Sequence, residues 1–200
     1  MHFPSFKEAI GAGSILIALI QYVPYSWLIY RGVIRPHAFS RLIWGLVAGI
    51  AFMAQFLEGG GAGSWATGVT SFACFIAMAL SLRLGDRNIT RGDWIALVFA
   101  LSAIPLWRLT NEPLYSVLLV TLIDGAGYYP AARKAWNHPH HEMAYAFTLG
   151  WLKGVAALFA LERYTITTTL YPAFLVFADG LFVAMLLIRR NQLKRISGPS

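Results

Sequence analysis

Apolar residues along this chain come in runs of about 16 to 22, separated by short charged or Gly/Pro-rich segments. A run near 20 matches a hydrocarbon core of about 30 Å at about 1.5 Å per helical residue. The alternation over about ten residues that a membrane strand requires is not seen. The pattern therefore predicts an all-α membrane protein with seven transmembrane helices, over 9–30, 40–57, 65–82, 94–109, 114–132, 143–161 and 169–188. The fourth run is short and carries Pro105. The leader from Met1 to Glu8 lacks a basic n-region and the apolar stretch after it is too long for a signal peptide, so the first helix is expected to be retained.

Composition agrees with this pattern. Hydrophobic residues make up 58% of the 200 positions and charged residues 12%, where a soluble domain carries about a quarter. The net charge of +7 is distributed in a way that argues against nucleic acid. Arg31, Arg35, Arg41, Arg83, Arg87, Arg91, Arg133, Lys134, Arg189, Arg190, Lys194 and Arg195 all fall on one side of a seven-helix arrangement. The other side holds Lys7, Arg108 and Arg163, and Lys153 lies within a helix. By the positive-inside rule the N-terminus is outside and the C-terminus cytoplasmic, as in a multi-pass protein of the cell inner membrane. Trp65, Trp94, Trp107 and Trp136 fall near predicted helix ends, where interfacial aromatics concentrate. The sole cysteine, Cys74, cannot form an intrachain disulfide and reads as a small buried hydrophobe.

An internal repeat relates the first three helices to the last three at an offset of about 106. Pro24 matches Pro130, each followed six residues later by an aromatic, Tyr30 and Trp136. Gly45 and Gly49 match Gly150 and Gly154, and Phe75-Ile76-Ala77-Met78 matches Phe182-Val183-Ala184-Met185. The expected plan is repeat one over 9–83, a linker helix over 94–109 and repeat two over 114–190, in one transmembrane domain. An odd intervening helix makes the repeats parallel about an axis along the membrane normal, with a substrate site between them near the midplane. Glycine pairs of this spacing also serve simple close packing of helices.

The stretch Val23-Pro24-Tyr25-Ser26-Trp27-Leu28-Ile29-Tyr30-Arg31, continuing through Arg35-Pro36-His37-Ala38-Phe39-Ser40 to Trp44, resembles the first helix, basic loop and second helix of the SWEET, SemiSWEET and PQ-loop transporters. Tyr129-Pro130-Ala131-Ala132-Arg133-Lys134 gives a second copy. The 3+1+3 plan extends the resemblance over most of the chain. The PQ dipeptide stands here as Pro24-Tyr25 and Pro130-Ala131, and the sugar-site asparagines are not retained. The resemblance thus implies the fold, with kinks at Pro24 and Pro130 as gate hinges, and it implies proton-linked amino-acid export better than sugar diffusion. A fixed bend without motion is the other reading of the two prolines.

Ionisable residues far from any helix end carry the chemistry. Asp124, Lys153 and Asp179 lie roughly eight to ten residues, or about 12–15 Å, from the ends of their predicted spans. A charge at the bilayer centre costs about 2.5–3.5 kcal/mol, and three at similar depth suggest one site. If the third helix of each triplet packs between the other two, as the resemblance implies, Asp179 stands between Asp124 and Lys153. Two carboxylates and one ammonium leave an excess negative charge that a proton or cation would neutralise. A structural ion pair between Lys153 and one aspartate is the plainer alternative.

The first triplet offers Gln21, Gln55, Thr67, Thr70 and Ser71. Gln21 and Gln55 could bond a polar solute or each other. Tyr22, Trp44, Tyr128, Tyr129 and Trp151 could stack on a solute, although packing is the simpler role for any one of them. His138, His140 and His141 are interrupted by Pro139 and read as a solvated loop, so no metal and no cofactor are expected. Gly59-Gly60-Gly61-Ala62-Gly63 reads as an outside turn and lacks the strand-to-helix setting of a phosphate loop.

The sequence thus predicts a small-solute carrier, not an enzyme, working by alternating access on an amino acid, sugar or nucleoside. Its expected partners are that solute and the lipid bilayer, without nucleic acid; a homo-oligomer is compatible with it. The competing classes are a seven-helix sensor or receptor and an intramembrane enzyme using the two aspartates.

Overall fold

The structure is a computed structural model, described over residues 5–84, 89–137, 139 and 144–196; the side chains at 130, 131, 133, 134 and 194–196 are not among those described. Seven α-helices account for most of it: α1 Phe6–Tyr30, α2 Ala38–Leu57, α3 Trp65–Leu84, α4 Arg91–Thr110, α5 Pro113–Asn137, α6 Ala144–Ala160 and α7 Ile166–Ile196. A short 3-10 turn, Gly61–Ser64, leads into α3, and no strand occurs among the described residues. Five segments are long and apolar enough to cross a membrane: Phe6–Tyr30, Ala38–Leu57, Gly61–Leu84, Arg91–Thr110 and Ile166–Leu193. Ala144–Ala160 is a shorter apolar helix.

The helices overrun several hydropathy spans because their ends are set by backbone chemistry. α1 starts at Phe6 because Ser5 and Glu8 form a capping box, each side chain accepting from the other's backbone N–H. Thr90 and Asp93 do the same for α4. α7 continues past Arg189 because Arg, Gln, Leu and Lys are good helix formers that need no membrane around them. Pro24, Pro105 and Pro172 all lie inside helices, and α1 stays helical through Pro24.

Six helices pack as a ring in the order α1, α3, α2, α5, α7, α6 and back to α1. α3 sits between α1 and α2, and α7 sits between α5 and α6. α4 lies outside the ring against α2 and α5. An apolar cluster of Ile43, Val47, Leu97, Ala100, Val117 and Val120 joins α2, α4 and α5. At the end of the bundle where α1 begins, Lys7 donates to the Leu161 carbonyl at 2.7 Å and lies over the Tyr164 ring. The Glu162 N–H there donates to Gly60 O at 3.2 Å. Gly59 and Gly61 hold positive φ values of 79° and 53° in this turn, a conformation that glycine enters at little cost.

Burial is inverted relative to a water-soluble fold. Phe72 and Leu122 are 68% and 70% exposed, while Asp124, Lys153 and Asp179 are 9%, 7% and 7% exposed. Apolar surface outside and charge inside fit a membrane protein, where ionisable groups face the bundle interior.

Candidate functional site

The three interior charges sit on the second half of the ring, and the elements around them explain how they are held. At about 1.5 Å per residue, all three lie on the order of 10–20 Å from the nearer end of their helices. Lys153 is closer to the end of α6 than its hydropathy span predicts. Its stem compensates, because helical side chains lean toward the helix N-terminus, here toward the bundle's interior.

Asp124 and Asp179 brace α5 and α7 reciprocally. Tyr128 on α5 donates to Asp179 Oδ1 on α7 at 2.7 Å, and Tyr171 on α7 donates to Asp124 Oδ2 on α5 at 3.2 Å. Tyr128 is in turn held edge-on by Phe174 and Phe182. The other Asp179 oxygen lies in the space that the missing side chain of Gly150 leaves open on α6, with Gln21 Nε2 at 3.7 Å from the same point. A small residue at 150 is therefore what admits the carboxylate between α6 and α7.

Lys153 reaches across to the other half. Its Nζ donates to Thr70 Oγ1 on α3 at 2.9 Å and to Gln21 Oε1 on α1 at 3.2 Å, and it lies 5.2 Å from the Tyr22 ring centroid. The Gln21 amide is oriented by donating to the Ala146 carbonyl at 2.9 Å. No ion pair joins Lys153 to either aspartate among the described residues. The plainer sequence reading, a direct structural pair, is not the arrangement found. The ammonium is solvated by neutral oxygens and a π face instead, and the Gln21 amide that accepts from it also lies near the Asp179 carboxylate at Gly150.

Gln55 lies apart from this group. It is fully buried beside the glycine turn, where its Oε1 accepts from Thr67 at 3.4 Å and its Nε2 has no partner among the described residues. Gln21 and Gln55 do not bond each other. Pro24 is an exposed residue of α1; Pro130 is helical in its backbone, and its side chain is not among those described. His138, His140 and His141 lie outside the described residues, among which no group of three metal-ligating side chains occurs. Cys74 is buried, as its reading predicts. Trp44, Tyr129 and Trp151 are all exposed, with Tyr129 at 72%.

Three members of the site were not assigned specific roles by the sequence. Tyr128 and Tyr22 stand two residues before Pro130 and Pro24, so a repeated Tyr-x-Pro is the signal that could have found both. Tyr171 has no such signal; it sits two residues inside the start of its predicted span, 169–188. Arg41, counted with the cytoplasmic charges, turns inward: its guanidinium lies 4.8 Å from the Tyr25 centroid and 4.6 Å from that of Trp44. Comparison with protein-family models, with curated proteins and with solved structures returns no match for this chain.

Proposed function

We propose that the chain is a seven-span carrier of a small polar solute, built from two triple-helix halves and working by alternating access. Under this reading the N-terminus is outside, α4 is the linker, and the fold is SWEET-like. One observation carries it: Lys153 of the second half is held deep in the bundle by Gln21 and Thr70 of the first, and that Gln21 also lies near the Asp179 carboxylate. Buried charge shared across the seam of two halves is costly to keep in a scaffold and is the chemistry of a solute or ion path.

The ring supports the repeat. The third helix of each triplet packs between the other two, and the α2–α5 contact has its counterpart in α6–α1. Local fit supports it too. Gly45 receives Phe75 and Gly49 receives Ser71 of α3, while Gly150 receives Asp179 and Gly154 receives Val176 of α7. Two glycines on the second helix thus accept two side chains of the third in each half. Asp124 and Asp179 bond separate tyrosines rather than each other, so the reading is transport and not aspartyl hydrolysis.

The test is solute uptake and solute-dependent pH change inside liposomes holding the purified protein, across amino acids, organic acids, sugars and nucleosides. A substrate-specific flux lost in Asp179→Asn supports coupled transport. Uptake without proton movement reduces the charges to scaffolding, and no uptake of any solute defeats the reading.

A further inference from the structure

The lower part of the first half holds a second set of polar groups that the site above does not use. His37 caps α2, its Nδ1 accepting from the Ser40 backbone N–H at 3.3 Å. A backbone N–H can only donate, so the ring proton of neutral His37 sits on Nε2. That Nε2 is buried and meets no acceptor among the described residues. Arg41 follows one turn later, its backbone N–H bonded to His37 O at 3.3 Å, and its Nε is likewise buried without an acceptor. Residues four apart on a helix lie side by side, about 5–6 Å between Cβ atoms. Two buried donors on one helix face therefore lack acceptors, and buried N–H groups are rarely left so.

One of these donors lies over a ring of α1 close in sequence to the ring under Lys153. Lys153 lies over Tyr22 and Arg41 lies over Tyr25. The two rings are three residues apart on α1, one turn of the same face. No carboxylate forms an ion pair with either cation among the described residues, while both buried aspartates are engaged by tyrosine hydroxyls. The interior thus holds two cations on successive aromatic rungs, Lys153 already bonded by Thr70 and Gln21, and the two N–H donors of His37 and Arg41 that an anionic oxygen group would satisfy. A planar guanidinium with an open Nε matches a carboxylate in particular.

We propose that the solute is a small organic anion, its carboxylate received by Arg41 and His37 and passed along α1 toward Lys153. This inference rests on the carrier reading for the passage, but the binding itself does not. It replaces the broader choice of amino acid, sugar or nucleoside with a carboxylate, and it gives Arg41 a binding role beyond membrane topology.

The experiment measures binding to the detergent-purified full chain by calorimetry at constant chloride. The probes are pyruvate and succinate, with glucose and uridine as neutral controls and a short-chain phosphatidylglycerol as the lipid headgroup control. Pyruvate or succinate should bind, and Arg41→Gln and Lys153→Met should each weaken that binding about tenfold or more. Arg108→Gln should leave it unchanged. If Arg41→Gln does not fold, Arg41→Lys and His37→Phe serve, since each removes one orphan donor and both should weaken binding. Binding of phosphatidylglycerol alone, of the neutral solutes alone, or of carboxylates with equal strength in every variant overturns the inference. Liposome flux separates the two readings. Carboxylate binding without flux keeps this inference and removes the carrier; flux of a neutral solute without carboxylate binding does the reverse.

Discussion

Tyr128 and Tyr171 carry the most specific consequences at the scale of single residues. Each hydroxyl ties a buried carboxylate to the neighbouring helix, and interhelical hydrogen bonds in membrane bundles average about 0.6 and reach about 1.7 kcal/mol. The Tyr128 bond is the shorter at 2.7 Å against 3.2 Å. Tyr128→Phe should therefore cost about 1 kcal/mol and Tyr171→Phe less, read as unfolding midpoints in detergent. Equal losses would mean that bond length does not rank the two hydroxyls. Lys153 makes a different prediction. It has no direct carboxylate partner, so Asp179→Asn should leave the protein folded without help from a second change at Lys153. A folding defect in Asp179→Asn that Lys153→Met repairs would restore the structural-pair reading, and size-exclusion profiles of the single and double variants decide it.

Glycines sort the helices by how closely they approach, which is a property of elements rather than of residues. A Cβ on Gly13 of α1 meets nothing within 4 Å, whereas one on Gly63 would lie 2.7 Å from the Ala157 carbonyl and the Leu161 N–H of α6 and its end. Gly13→Ala should thus be neutral or gain about 0.5–1 kcal/mol from lower unfolded-state and helix costs. Gly63→Ala should lose on the order of 1–3 kcal/mol, because backbone cannot step aside as a side chain can. Gly150 is the informative middle case. Its Cβ would displace the Asp179 carboxylate rather than backbone, so Gly150→Ala is expected to keep the fold and lose transport activity. Parallel thermal melts and liposome assays on the three variants check all of this.

At the scale of the molecule the decisive quantity is which end of each helix faces which side. The proposed seven spans would place the termini on opposite sides of the membrane. In a Cys74→Ser background, a membrane-impermeant maleimide should label Ser5→Cys on intact cells and Gln192→Cys only after permeabilisation. Labelling of both from one side would mean an even number of spans and would undo the parallel repeat. The same ordering explains the lock at the outer end under the proposed orientation, where Lys7 and Gly60 bond the segment that follows α6. The proposed rocking of the halves would break it, so under that reading Lys7→Met should raise the labelling rate of a cysteine placed at Arg163.

Much of the architecture follows from the sequence by itself, because a bilayer restricts what a chain can do. Every backbone group in hydrocarbon must bond internally, so long apolar runs become helices, and each of the seven predicted runs overlaps one of α1–α7. Burial of Asp124, Lys153 and Asp179 was legible for the same reason: charge in an apolar run has nowhere else to go. Helix ends were less legible, since capping by Ser5 and Glu8 or the plain helix preference of residues after Arg189 acts outside the hydrophobic pattern. What each charge touches was decided only by tertiary structure. Tyr171 and Asp124 are brought together by the antiparallel packing of α5 and α7, and no spacing along the chain encodes that meeting. Gln55 was read with Gln21 as a group that could bond a polar solute, yet it is buried beside the glycine turn at the end of α2, where Thr67 bonds it. Arg41 counts as one more cytoplasmic cation until the rings of Tyr25 and Trp44, on two different helices, turn it inward. Hydropathy depends on one segment and its solvent; a site depends on the relative rotation of several segments, which only their packing sets.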